Sequence, residues 1–157
     1  MLEYSPWKIE QHAFEPQSEV TTDEQLAFSN GYISQYAFFE EQYSGARKVG
    51  TFVESIMRAD NSQPLEIPNP TNISLRLGDE RLDLNHWQVE SFYRCLHKGE
   101  TCLERQFTAT SPHGYTIEVS SLRCLNVKNP HFLNLTYSVR FVNYEGITAS
   151  RRITTPS

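Results

Sequence analysis

Apolar and polar residues alternate with a period of two along most of the chain, most clearly where Leu133, Leu135, Tyr137, Val139 and Phe141 are separated by Asn134, Thr136, Ser138 and Arg140. Successive side chains of a strand point to opposite faces, so this pattern predicts a half-buried strand. Upstream, Tyr115, Ile117 and Val119 alternate in one phase and Leu122 and Cys124 in the other, which predicts a bulge near Ser120-Ser121. Between the two strands, Lys128-Asn129-Pro130 supplies a turn, because proline removes a ladder donor. A hairpin is predicted from Ile73, Leu75 and Leu77 through Gly78-Asp79 to Leu82 and Leu84, and another from Phe107 through Ser111-Pro112-His113-Gly114 into the Tyr115 strand. Lys98-Gly99-Glu100 reads as a turn between strands ending near His97 and restarting near Cys102. Pro64, Pro68 and Pro70 exclude a central strand or helix from Gln63 to Asn72 and predict an extended surface loop. The one helical stretch runs from Thr22 to Phe28, capped by Thr22 or Asp23 and stopped at Asn30-Gly31. From Ala149 to Ser157 the tail dissolves into polar residues. The predicted fold class is all-β: an antiparallel β-sandwich with at most one short helix, in a single domain over residues 1–157.

At 157 residues the chain can bury roughly 70% of its unfolded surface, enough for a core without metals or disulfides. Its 14 basic and 19 acidic residues give a net charge of −5 with no basic stripe, so nucleic acid is not an expected partner. No apolar run approaches the ~18 residues of a membrane span. The opening Met-Leu-Glu-Tyr-Ser-Pro-Trp-Lys has no basic region followed by an apolar stretch, and a cytoplasmic location is expected. Cys95, Cys102 and Cys124 are odd in number and form no CxxC pair, so all three are expected reduced and wholly or partly buried. The five histidines stand at no i, i+2 or i, i+4 spacing, and no metal is expected.

Candidate chemistry is sparse. The glycines are isolated, no serine sits in a nucleophile elbow, and no cofactor is implied. Glu40-Glu41 and Asp79-Glu80 are adjacent acids, but neighbours on a strand point apart, whereas a glycosidase pair must face one substrate. They read as solvated turns or edges. Trp7, Tyr32, Tyr36, Phe38, Phe39, Tyr43 and Trp87 concentrate in the loop-rich first half, and core packing, a domain interface and stacking on a sugar ring are all open to them.

Six short pieces then acquire a common meaning. Trp7-Lys8-Ile9-Glu10 is followed by Asn30-Gly31-Tyr32 and Phe39-Glu40-Glu41 within one motif from Glu24 to Glu41, and by Gly50-Thr51-Phe52-Val53. Next come Ile67-Pro68-Asn69 before a hairpin ending Leu82-Asp83-Leu84, then Glu104-Arg105-Gln106-Phe107, and finally Pro130-His131. In this order they resemble the N-terminal region of glycoside hydrolase family 65. The chain departs from the family at Ser29 and at Ser34-Gln35-Tyr36-Ala37, where glycines are usual, so this loop is expected to take a different path.

The resemblance implies an N-terminal sandwich of the galactose-mutarotase-like type, possessing part of the family's strands and attached in the family to a helical (α/α) barrel. Members are mostly inverting phosphorylases of α-linked glucose disaccharides, with some hydrolases. A barrel carboxylic acid protonates the glycosidic oxygen while phosphate or water attacks from the opposite face. It follows that this chain carries no catalytic residue, that inorganic phosphate is a co-substrate of the parent enzyme rather than a cofactor, and that the catalytic barrel is a partner. An α-glucoside is a further candidate ligand. Carbohydrate or domain-interface candidates are Asn30, Gly31, Tyr32, Tyr36, Phe39, Glu40, Glu41 and Trp87, with Asn30-Gly31 read as structural. The alternative is a stand-alone carbohydrate-binding sandwich using Tyr32 and Trp87 as a platform. A sandwich lacking its later strands should expose a sheet edge or apolar face, so self-association or a required partner is expected.

Overall fold

The computed structural model describes residues 1–57, 64–144 and 148–153. Six strands form one antiparallel sheet in the order β1 (Leu2–Tyr4), β2 (Lys8–Gln11), β9 (Gln88–His97), β10 (Cys102–Thr110), β11 (Thr116–Leu125) and β12 (Leu133–Phe141). Against its inner face lie two smaller sheets. One contains β3 (Phe28–Ser29), β4 (Ile33–Gln35), β5 (Thr51–Met57) and β6 (Pro64–Ile67); the other has the order β13 (Thr148–Ile153), β7 (Asn72–Leu77) and β8 (Glu80–Arg81). The result is an all-β antiparallel sandwich.

Two apolar clusters fill the space between the layers. Leu75, Leu77, Leu82, Leu84 and Trp87 meet Phe92, Phe107, Ile117 and Val119 in the first. In the second, Leu26, Phe28, Ile33 and Ala37 meet Ile9, Leu96, Leu103 and Leu125. The predicted hairpins are in place: β7 and β8 join through Gly78-Asp79, with Gly78 at φ +61°, and β10 and β11 join through a turn with Gly114 at φ +90°. Both conformations suit glycine because a Cβ would crowd the following carbonyl.

Several expectations are corrected. There is no bulge at Ser120-Ser121: β11 pairs without interruption with both neighbours, and its inner face carries Ile117, Val119, Ser121, Arg123 and Leu125. The apparent change of phase comes from a polar pair facing inward, with Leu122 and Cys124 on the outer face. The irregularity lies instead between β9 and β10, at Thr108/Ala109. Pro64 begins β6, an edge strand, where a missing N–H costs no ladder bond. The helix, α1, spans Glu19–Gln25 after a 3₁₀ turn at Pro16–Ser18, so Thr22 and Asp23 lie inside it rather than at its cap. Phe28 is taken by β3, and Asn30-Gly31 turns β3 into β4. Part of the polar tail is a strand, β13, paired with β7, while residues 154–157 lie outside the described residues.

Cys102 and Cys124 face each other directly across β10 and β11 and form a disulfide, leaving Cys95 as the buried free thiol. The pairing depends on a strand register that no spacing rule reads. Alkylation of the unfolded chain without reductant should therefore label Cys95 alone, and peptide mapping should recover a linked Cys102–Cys124 fragment. Labelling of all three without reductant would refute the bond.

Candidate functional site

On three adjacent central strands the apolar inner face is interrupted by an arginine: Arg94 on β9, Arg105 on β10 and Arg123 on β11. Arg94 and Arg105 are directly opposed, an arrangement that would be repulsive by itself. All three are almost fully buried. Charges so placed must be paired and hydrogen-bonded or the fold does not form. Their carboxylate partners come from α1 and from the irregular segment 36–41, which runs between the layers.

Arg105 donates to Glu41 Oε1 at 2.6 Å and to Glu40 Oε1 at 3.1 Å, and its second contact to Glu41, through Nη2, completes a bidentate pair. Arg123 Nε lies 3.1 Å from Glu40 Oε2, and Tyr137 Oη donates to Glu41 Oε2 at 3.1 Å. On the other side, Arg94 donates to Asp23 Oδ1, Glu19 Oε2 and Gln11 Oε1 at 3.0, 2.8 and 2.9 Å. Arg47, buried beside Phe39, grips Asp23 from the opposite side. Four guanidiniums thus balance four carboxylates. Two of the arginines also donate to backbone carbonyls of the segment between the layers: Arg94 Nη1 reaches Ala37 O at 2.6 Å and Arg123 Nη2 reaches Phe38 O at 2.8 Å.

The electrostatics follow from the pairing. Burial pushes Glu40 toward its neutral form, but Arg105 and Arg123 outweigh it and hold the carboxyl below the usual range. Burial works against the charged form of Arg105 as well, and Glu41 and Glu40 more than offset that. Arg47 is lowered to about 10 by burial, with Asp23 opposing the shift. Burial, then Glu41, raises the Tyr137 phenol well above its ordinary value.

The adjacent acids are therefore not a solvated turn or edge. Glu40 is 2% and Glu41 4% exposed, and their side chains converge on Arg105 because the backbone there is irregular rather than pleated. Phe39, 4% exposed, lies under the guanidiniums of Arg47 and Arg105, with centroid distances of 3.5 and 4.4 Å. Trp87 is 6% exposed within the first apolar cluster, so it offers no platform to a sugar arriving from solvent. Tyr32 stacks on His131 at 4.2 Å, and Tyr36 meets Phe52 edge-on; both tyrosines stay half-buried. Asn30 is structural in detail. Its Oδ1 accepts from the Tyr32 and Ile33 amides, its Nδ2 donates to the carbonyls of Asn126 and Pro130, and Gly31 takes φ +88°.

Other groupings escape a reading by spacing. Ser44 Oγ lies 3.2 Å from His86 Nε2 in a cleft of about 520 Å³ lined also by Gln42, Tyr43, Arg81 and Asp83. Asp83 approaches that same nitrogen at 4.0 Å, whereas a serine nucleophile needs the carboxylate on the other ring nitrogen. Glu3, Glu10 and His12 bring ligand atoms within 4.8 Å of one another across the β1–β2 hairpin and are the described residues that could hold a cation. The three inward arginines had a visible signal, each flanked two residues away by apolar inner-face positions: Phe92 and Leu96, Leu103 and Phe107, and Leu125.

The chain matches the family described as glycosyl hydrolase family 65, N-terminal domain, over residues 9–153. It is 25% identical over 150 residues to kojibiose phosphorylase of Halothermothrix orenii, covering 94% of this chain and 19% of that one. It is 22% identical over 160 residues to α,α-trehalose phosphorylase of Thermoanaerobacter brockii, covering 91% and 21%. It is also 25% identical over 141 residues to maltose phosphorylase of Bacillus subtilis, covering 81% and 18%. The chain thus spans about a fifth of the length of these relatives. A solved structure assigned as kojibiose phosphorylase from human microbiome superposes with a TM-score of 0.78 at 23% identity, over 89% of this chain and 20% of that one, and shares the fold.

Arg105→Ala should strand two buried carboxylates and cost about 3–5 kcal/mol in urea unfolding, against a far smaller loss for Arg140→Ala at the exposed pair with Glu118. Because the Glu40 carboxyl is lowered on folding, its stabilisation is complete above the unfolded carboxylate pKa and is lost as pH falls through the folded value. Stability of the parent should drop below about pH 4.5, and Glu40→Gln should flatten that acid limb while lowering stability at neutral pH.

Proposed function

Because this chain belongs to the glycosyl hydrolase family 65 N-terminal domain family, we propose that it is the β-sandwich that buttresses a catalytic barrel acting on α-linked glucose disaccharides, itself supplying no catalytic group. The observation that carries this reading is the family match along 9–153 in a chain that spans about a fifth of phosphorylase relatives. The buried network supports it. Glu40 and Glu41, the acids of the Phe39-Glu40-Glu41 motif, are paired with buried arginines and away from solvent, so they hold the layers together rather than protonate a glycosidic oxygen. Trp7, 72% exposed, is free to pack against a neighbouring domain. In this reading the barrel supplies the acid, and phosphate or water supplies the nucleophile.

Incubated with kojibiose, trehalose or maltose and inorganic phosphate, the chain alone should release neither glucose 1-phosphate nor glucose. The complete product of its gene should release one of them from at least one α-linked glucose disaccharide. Turnover by the chain alone, or none by the complete product across a panel of such disaccharides, would overturn the proposal.

A further inference from the structure

The cleft of about 520 Å³ between residues 42–44 and 81–86 is lined by side chains that take no part in the buried ion pairs. Its size is that of a small-ligand site, which occupies roughly 300–1,000 Å³. Asp83 fixes the two walls to each other. Its carboxylate accepts from Ser44 N at 3.2 and 3.3 Å and from Asn85 N at 3.0 Å, so backbone of both walls engages it. Asn85 Nδ2 donates to Ser44 Oγ at 3.0 Å, and that oxygen lies 3.2 Å from His86 Nε2. Tyr43 adds an aromatic ring whose placement needs Gly45. A Cβ at position 45 would stand 2.5–2.7 Å from Cε1, Cζ and Oη of that ring. A cleft held in this way is organised before a ligand arrives.

The groups left over define what it can hold. Arg81 donates through Nη1 to Gln42 Oε1, and among the described residues its Nε and Nη2 have no hydrogen-bond partner. The same is true of Gln42 Nε2, His86 Nδ1 and the Tyr43 hydroxyl. Charge then separates the ligand classes. A phosphate or carboxylate attracted by Arg81 would also meet Asp83, and a metal ion attracted by Asp83 and His86 would also meet Arg81. A neutral ligand with many hydroxyls meets neither penalty. A guanidinium fork spans two neighbouring acceptors, and each hydroxyl both donates and accepts, as Gln42 and His86 require. The C–H face of a sugar ring also suits an aromatic neighbour with a polar tip.

From this geometry we infer that the cleft is a binding site for a neutral pyranose sugar. Arg81 and Gln42 bond adjacent hydroxyls, His86 bonds a third, and Tyr43 packs against the ring. Asp83 is a positioning residue that holds the walls at the right separation. The site binds without reacting, because Asp83 approaches the His86 nitrogen that already faces Ser44, at 4.0 Å, and leaves the other one unoriented. The inference goes beyond the buttressing role and does not depend on it.

Titration of the chain with glucose, galactose, mannose, maltose and trehalose, followed by NMR, should give saturable shifts of the His86 and Tyr43 ring signals with at least one of them. Arg81 and His86 are exposed, so Arg81→Ala and His86→Ala should keep the circular dichroism spectrum of the parent. Each should weaken binding about ten-fold or more, the loss expected when a well-aimed hydrogen bond is removed. Arg140→Ala, on the outer face of the large sheet, should bind as the parent does. No saturable binding across the panel overturns the inference. So does binding that survives both cleft variants, or that Arg140→Ala weakens as much as they do. Saturation of the same signals by inorganic phosphate and by no sugar would identify an anion site and overturn it as well.

Discussion

Three buried arginines on adjacent strands are the constraint around which this sandwich is arranged. Arg94, Arg105 and Arg123 lie between two apolar clusters, and each would be intolerable there without a carboxylate. The acids arrive from elsewhere in the chain: Glu19 and Asp23 from a helix of two turns, Glu40 and Glu41 from a segment with little strand pairing of its own. The position of α1 and the path of 36–41 follow. A buried ion pair often does no better than a well-packed apolar pair, so the network's contribution is specificity. Slipping β10 by one residue would turn Arg105 outward and leave two acids buried alone.

Seen this way, the scattered pieces shared with the family are contacts. Phe39-Glu40-Glu41 and Glu104-Arg105-Gln106-Phe107 lie 64 residues apart and meet as the Arg105–Glu41 pair. Asn30-Gly31-Tyr32 and Pro130-His131 meet through the Asn30 bond to Pro130 O at 2.9 Å and the Tyr32–His131 stack. Tyr36 N bonds Gly50 O, and Gln35 bonds the Thr51 hydroxyl. The serine at position 29 and the glycine-poor run after it leave these contacts in place.

With its inward acids neutralised and two candidate aromatics in the core, the chain presents its chemistry at its margins. The rim carries Tyr4 and Trp7, and the outer edge of the large sheet carries β12. Such a layout offers packing surfaces at the margins of a chain that spans about a fifth of the length of its relatives.

The sequence by itself determined the strands, the hairpin turns and the all-β class, because side-chain alternation and the backbone demands of glycine and proline are local. It also carried the family resemblance. Only the tertiary structure decided which polar residues face inward. Glu40-Glu41 looked like a solvated edge and Ser121-Arg123 like a bulge because each is half of an interaction whose other half is distant in the chain. The Cys102–Cys124 bond was hidden for the same reason, since it depends on the register of β10 against β11. Local pattern reports hydropathy one residue at a time; whether a buried charge is tolerable is a property of the pair.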